Sequence, residues 1–588
     1  MFIYNILPLF VSKKTFPNIF DVLAFILVVG IIVILFHGIQ ETTVSSDIVD
    51  IIPITLDVNV LPKYALRTTL RMLIAIVISL LFTFIYATLA AKNRRLGMIL
   101  IPILDVMQSV PILGFLTFTV VYFMNLYPGR VIGAELAAIF AIFTSQVWNM
   151  TFSMYQSLCN IPKDLKEVAN SFRLSGWQNF WHLEVPFSIP GLVWNMMMSM
   201  SGGWFFVVAS EMIVVGDTII PLPGIGSYIS LAIKERNLLA VLYAMLTMLG
   251  VIFLYDQLFF RPMIAWSNKF ILEKTTARYS SDSWVLHLFR KTNFLRFIGY
   301  SSWNVCLPLS NNIKKIFRIF KKIQFHIPED CFHIYYNKRI SSIMDVLWFL
   351  MVCSIAIGIA WKSIGYISDH FTYHDFMHVF WLGCITMSRV LILIFIATII
   401  WVPIGIWIGF RPNIASKIQP FAQFLAAFPA NVFFPLVVSF VFYYHLNPDI
   451  WLSLLMIFGT QWYILFNVIA GASVFPNDFK EVVRSFHITG WRWWRYVIIP
   501  GIFPYYITGA ITACGGAWNA SIVAEVASWG DIHLRTIGLG AYIAEATEKG
   551  SFPEVSLGVL VMCFFVLALN RFLWHPLCLY GTRHMRNN

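Results

Sequence analysis

The sequence predicts an all-α polytopic membrane protein of about twelve transmembrane helices, built as two parallel repeats of six. Three observations carry that prediction. Hydrophobic residues make up 59% of the 588-residue chain and charged residues 12%, against roughly 25% charged in soluble proteins. Charge-free apolar windows long enough to cross a bilayer recur along its whole length. The second half of the chain repeats the charged, glycine, tryptophan and proline positions of the first.

The composition also excludes several classes. Disordered chains are poor in aromatic residues, and here aromatics reach 16%. The formal charge of +12 sits on a chain too apolar for water, so the expected partner is the lipid bilayer and no nucleic acid. Eight cysteines are scattered with no CxxC pair and no His/Cys cluster at zinc-ligand spacing, so no metal site is expected.

A spanning helix needs about 20 mostly apolar residues. Charge-free windows appear twelve times, those opening at Val346 and Val555 being short: Val22–Gln40, Met72–Ala91, Val106–Gly129, Leu136–Pro162, Val185–Ser210, Asn237–Tyr255, Val346–Trp361, Val390–Phe410, Ile418–Pro448, Ile450–Asn477, Tyr496–Ala524 and Val555–Asn570. The first follows Lys13 and Lys14 like a signal peptide, but no A-x-A-like cleavage site follows it, so it reads as an uncleaved anchor. Lys92, Arg94 and Arg95 join spans two and three, and Arg411 and Lys417 join spans eight and nine. On the opposite side stand Glu41, Asp47, Asp50 and Asp57, and later Asp531, Glu545, Glu548 and Glu554 against only Arg535 and Lys549. The positive-inside rule then places both termini in the cytoplasm of a cell whose inner membrane holds the protein.

Three segments follow: a first six-span repeat over 1–261, a linker over 262–340 and a second repeat over 341–588. Residues 261–340 carry fourteen Lys/Arg and four acids, a net charge of +10. Within them Ile313, Ile316, Phe317, Phe320 and Ile323 share one helical face, with lysines opposite. That stretch suits an anionic membrane surface, or is a basic linker obeying the topology rule. Outside 261–340 the net charge is only +2, so the basic excess belongs to the linker and not to a pathway.

The repeat is legible in detail. Residues 167–186 read EVANSFRLSGWQNFWHLEVP and residues 481–500 read EVVRSFHITGWRWWRYVIIP, an offset of 314. That offset also carries Trp204 onto Trp518 and Glu211 onto Glu525. Upstream an offset of 318 carries Arg71 onto Arg389, Pro102 onto Pro420 and Pro111 onto Pro429. Six spans per copy is even, so both copies point the same way, with a pathway expected between them.

The most patterned sequence of each half lies between its fourth and fifth spans. Pro162 and Pro476 suit a first helical turn, and Asp164 and Asp478 complement the positive helix end. Leu165, Val168 and Phe172 form a narrow apolar stripe, repeated as Phe479, Val482 and Phe486, and Gly176 and Gly490 provide a stop. A mere connector would rarely be the best-preserved part of a duplicated chain, so a docking element for a cytoplasmic partner is expected. The other reading is a helix tucked against its own bundle, with Trp177, Trp181, Trp491, Trp493 and Trp494 as interfacial belt residues.

Here the sequence resembles the membrane-spanning permeases of ATP-binding-cassette importers, whose loop reads E-A-A, three residues, Gly, nine residues, Ile, one residue, Leu-Pro. Glu167-Val168-Ala169 and Glu481-Val482-Val483 occupy the first triplet, and Leu183 to Pro186 and Val497 to Pro500 the last four positions. The glycine position of that signature carries Arg173 and His487, with glycine three residues later in both halves. Trp518-Asn519-Ala520-Ser521-Ile522-Val523-Ala524-Glu525 is further similar to importers of nitrate, sulfonates and related anions, in duplicated single-chain form. The resemblance implies two cytoplasmic ATPase subunits beneath the loops, an extracytoplasmic substrate-binding protein, and alternating access driven by ATP-Mg held in those subunits. This chain has no Gly-Lys pair, hence no phosphate-cradling G-x-x-x-x-G-K-[ST] loop, so no cofactor and no catalysis are expected in it.

Charged residues inside spans are costly and so are candidates for the substrate path. Arg71 and Arg389 either bind an anion or snorkel to the external interface. Glu211 and Glu525, about 36 Å along span five, suit a structural or gating hydrogen bond at the external mouth. Asp105, matched by Gln423, is unpaired in the repeat. Trp204, Trp518, Asn519, Ser521, Gln146 and Gln461 are neutral donors within reach of a pathway. An ion-coupled secondary carrier is the alternative, but apart from Asp105 little in the spans would serve it.

Overall fold

A computed structural model describes residues 54–270, 283–292 and 371–577, apart from short breaks at 110–111, 129, 216–217, parts of 412–427, 474–484, 489 and 530–531, and isolated positions elsewhere. The windows Val22–Gln40 and Val346–Trp361, the stretch 313–323, and Asp478 and Glu481 lie outside the described residues.

Among the described residues seven helices are long and apolar enough to cross a membrane. In the first half these are α1 (Leu61–Lys92), α4 (Val131–Cys159), α6 (Gly176–Ser210) and α8 (Leu238–Ser267). Between α1 and α4 run two shorter helices, α2 (Arg94–Ser109) and α3 (Ile112–Leu126). Between α4 and α6 lies α5 (Lys163–Ser171), and between α6 and α8 a hairpin (β1, Met212–Val215; β2, Thr218–Pro221) and α7 (Ile225–Lys234). Linker helix α9 (Trp284–Lys291) starts at Ser283, whose hydroxyl accepts the Leu286 N–H.

The second half repeats this order. It comprises α10 (Tyr373–Gly409), α11 (Ala430–Tyr443), α12 (Pro448–Phe458), α13 (Gln461–Ser473), α14 (Gly490–Ala524), a hairpin (β3, Val526–Trp529; β4, Ile532–Arg535), α15 (Leu539–Glu548) and α16 (Phe552–Leu577). The pair α12–α13, bent by 42°, is the eighth candidate span. The all-helical fold class stands, with the two hairpins as additions that period-2 patterning did not betray.

In each half span two packs on span four and span four on span five, so α1, α4 and α6 form one layered core, as α10, α13 and α14 do. Met72, Ile142, Met150, Met196 and Val207 are almost wholly buried there. The halves are parallel: β1 packs on α15 and β3 on α7, so both hairpins sit at one end of the bundle. The chain leaves α1 and α4 at the other end, where α5 is found. These are called the hairpin end and the loop end below. Helix α6 has 35 residues, about 52 Å at 1.5 Å per residue, so it outreaches a hydrocarbon core of about 30 Å.

Two windows were cut short at an arginine. Arg71 and Arg389 lie inside α1 and α10, whose helices run on to Leu61 and Tyr373. A charge stops a hydropathy window, but it need not stop a helix once it is paired.

Candidate functional site

Two constellations occupy opposite ends of the first half, and the second half repeats the one at the hairpin end. At the hairpin end Arg71 donates from Nε and Nη2 to both oxygens of Glu135, at 2.6 and 2.7 Å. Its Nη1 reaches Glu211 Oε1 at 2.7 Å, and Nη2 also donates to the Pro223 carbonyl at 3.0 Å. Glu211 accepts the Thr68 hydroxyl at 2.6 Å and, through Oε2, the Gly226 N–H at 2.6 Å. Thr68 Oγ1 accepts the Ile225 N–H at 3.0 Å. A carboxylate from the end of α6 thus caps the start of α7, where unpaired N–H groups favour negative charge. A Cβ at Gly224 would run into that carboxylate, so the close approach requires glycine.

The second half repeats the cluster with looser geometry. Arg389 Nη2 donates to Asp449 at 2.9 Å, and its Nη1 lies 3.5 Å from Glu525. Glu525 accepts Thr386 Oγ1 at 2.8 Å and the Ala541 N–H at 2.9 Å, and Gly538 faces its carboxylate as Gly224 faces Glu211. Side-chain exposure is 3% for Arg71 and at most 6% for its two acids; for Arg389 it is 15% and for Asp449 44%.

The arginines are therefore neither open to an anion nor snorkelling. Each faces two carboxylates, so the local charge is negative and repels an anionic ligand. Glu211 and Glu525 are both hydrogen-bonded, and not all of their partners are legible in the sequence. Glu135 and Asp449, Thr68 and Thr386, and Gly224 and Gly538 were missed. All three pairs obey the 314 or 318 offset, so the repeat itself held the signal.

The remaining path candidates scatter. Trp204 is buried against Tyr255, and Trp518 is buried and stacks on Phe565. Ser521 bonds back to the Trp518 carbonyl, Gln146 meets the sulfurs of Met72 and Met200, and Gln461 accepts the Trp401 N–H. Asn519 reaches across the seam between halves, where its Oδ1 accepts the Ile112 N–H at 2.6 Å. Ser201 donates across the same seam to the Ala426 carbonyl, and Asn431 to that of Phe205. A cavity of about 30 Å³ lies beside Ser201, Trp204 and Tyr255. The side chain of Asp105 is outside the described residues.

At the loop end α5 begins after Pro162 with Asp164 in its first turn. It closes with the Leu174 N–H on the Ala169 carbonyl and the Arg173 N–H on that of Asn170, a Schellman cap. Arg173 holds φ +48° and His487 φ +49°. The stop thus falls at Arg173, in the left-handed region where glycine is usual, and not at Gly176. Gly176 instead opens α6 behind a capping box of Ser175 and Gln178. The apolar stripe divides: Leu165 and Ala169 pack inward, while Val168 is 50% and Phe172 66% exposed. Asp164 and Glu167 are exposed beside them, as are Trp177 and, in the second half, Phe486 and Trp491. Pro186 in α6 and Pro500 in α14 each follow a π-helical turn, Phe180–Glu184 and Trp494–Ile498. Gly490 has φ +66°.

These features define a duplicated helical membrane component, with a buried ionic cluster at one end of each half and a protruding capped helix at the other end of the first. The chain belongs to the family of binding-protein-dependent transport system inner membrane components, whose sequence pattern matches twice, over residues 82–260 and 401–573. It is 28% identical over 195 residues to the bicarbonate transport system permease protein CmpB of Synechococcus elongatus, covering 33% of this chain and 66% of that one. It is 28% identical over 193 residues to the nitrate import permease protein NrtB of Leptolyngbya laminosa, covering 33% and 65%. To the taurine transport system permease protein TauC of Escherichia coli it is 23% identical over 184 residues, covering 31% and 63%. The chain thus spans just under two thirds of the length of these relatives.

Proposed function

We propose that this chain is the membrane-spanning part of an ATP-binding-cassette importer for a small anion, with both repeats in one polypeptide. Its loop end faces the cytoplasm, where each loop between spans four and five docks one of two ATPase subunits. An extracytoplasmic binding protein delivers solute at the hairpin end. ATP-driven closure of the subunits draws the loops together and opens the seam toward the cytoplasm.

The observation that carries this reading is the pair Val168 and Phe172, exposed on a capped helix at the loop end. Apolar side chains presented on a rigid helix, ringed by Asp164 and Glu167, fit a protein groove. The anion class rests on the relatives, whose names give bicarbonate, nitrate and taurine. The basic linker adds nothing to it. A proton-coupled carrier would need a free buried carboxylate, whereas Glu135, Glu211 and Glu525 are each bound by an arginine.

The test is Glu167→Ala combined with Glu481→Ala in the full chain. The double variant is expected to insert normally and to lose at least about fivefold in ATP-dependent transport, the lower end of typical coupling between sites. Wild-type transport in that variant, or failure of any ATPase to copurify with the wild-type chain, would show that the loops are connectors only.

A further inference from the structure

Helices α1 and α6 are joined by ion pairs at two levels. At the hairpin end Arg71 of α1 holds Glu211, which follows α6 directly. At the loop end Lys92, the last residue of α1, meets Glu184 in the first turns of α6: Nζ lies 2.9 Å from Oε2. The Glu184 side chain is 8% exposed and that of Lys92 44%. Asn179 donates to the other oxygen of Glu184 at 2.8 Å, and the Lys92 ammonium stands 5.8 Å from the Phe180 ring. One turn-pair further up α1, Phe84 packs edge-on against Phe180. The 21 residues from Arg71 to Lys92 span about 31 Å, so the two ionic contacts are a membrane thickness apart.

The second half has the same joint in different chemistry. Position 410, matching Lys92, is Phe410; position 498, matching Glu184, is Ile498, 1% exposed; and Asn179 is matched by Trp493. Phe410 and Trp493 pack with ring centroids 5.9 Å apart. Both polar partners were replaced together and by apolar ones, which is what a joint kept for contact, rather than for charge, requires.

We propose that Lys92 and Glu184 are a latch that fastens the first docking loop to the loop end of α1, so that displacement of the loop reaches the Arg71–Glu135–Glu211 cluster as movement of one body. The second half achieves the same with Phe410, Trp493 and Ile498. Lys92 and Glu184 are positioning residues that act through α1 and α6. This rests on the reading that an ATPase docks at the loop. The physical argument is that a helix pair pinned at one end only can splay. Pinned at both ends it tilts as a unit, and packed elements switch between discrete arrangements rather than bending continuously.

The test uses the full chain with its copurified ATPase subunits in nanodiscs, with Leu126→Cys as reporter. Leu126 ends α3 and is 54% exposed, and α3 packs on β1 at the hairpin end. Its rate of maleimide labelling, read site by site by mass spectrometry, is compared with and without ATP and vanadate. Lys92→Glu is expected to keep the ATPase bound and hydrolysing ATP, while the ATP-dependent change at Leu126→Cys falls at least about fivefold. Lys92→Glu with Glu184→Lys restores it. Lys92→Phe with Glu184→Ile, which grafts the residues of the second half, also retains it and guards against a misfolded charge variant. An unaltered response in Lys92→Glu, or loss of response in a folded graft, overturns the latch. A wild-type chain that binds no ATPase, or shows no ATP-dependent change, overturns the importer reading instead.

Discussion

Arg173 shows how one residue can mark a motif while lacking its usual identity. It takes φ +48° at the end of α5, and at the matching position His487 takes +49°. The left-handed region costs a residue with a Cβ about 1–2 kcal/mol, and glycine avoids that at some loss of chain entropy. The same exchange occurs elsewhere in the repeat: Arg236 ends α7 with φ +55°, and its match Gly550 ends α15 with φ +66°. The turn is therefore kept while the residue drifts. Arg173→Gly should stabilise the chain by about 0.5–1 kcal/mol, seen as a higher unfolding temperature in detergent. Arg173→Val should lower it, because a branched Cβ fits that region worst. An unchanged Arg173→Gly and a neutral Arg173→Val would mean the turn holds no strain.

At the scale of elements, the ionic clusters fix a short helix to three spans. In the first half α7 is capped by Glu211, which is held by Arg71 of α1, which in turn grips Glu135 of α4. Removing the arginine strands two buried carboxylates, and breaking a buried pair in this way costs about 3–5 kcal/mol. Arg71→Met should therefore cost that much, whereas Arg389→Met should cost clearly less, since Asp449 is 44% exposed and water can take over. Thermal unfolding of the two variants side by side measures the order, and equal losses would contradict it. These elements also show what could be read beforehand. Spans, duplication and the two glutamates were legible because bilayer burial and copying leave long, redundant signals. The hairpins and the carboxylate partners of the arginines were not. Each depends on which helices become neighbours, and a hydropathy window treats every charge as exposed. The αL turn at Arg173 was likewise hidden, because only the backbone records it.

For the whole molecule the question is why two permease repeats should share one chain. The seam is not self-complementary. Asn519 accepts the Ile112 N–H, but its match in the first half is Phe205, which has no side-chain acceptor. Asn431 donates to the Phe205 carbonyl, and its match is Leu113, which cannot donate. Ser201 donates to the Ala426 carbonyl, and its match is Gly515. A pair of first halves would lose the Asn519 and Asn431 bonds, and a pair of second halves the Ser201 bond. Fusion secures the mixed pair by raising the effective concentration of one half about the other, without adding a contact to the seam. The linker can then be cut. Coexpressed as residues 1–300 and 301–588, the halves should insert separately and copurify as a mixed pair through either tag. The first half expressed with two different tags should not pull down itself. Cutting lowers effective concentration only, so raising expression of both pieces should recover the pair. Equal recovery of first-half homodimers would show that the seam does not discriminate. Loss of the mixed pair at every expression level would show that the linker holds the halves together itself.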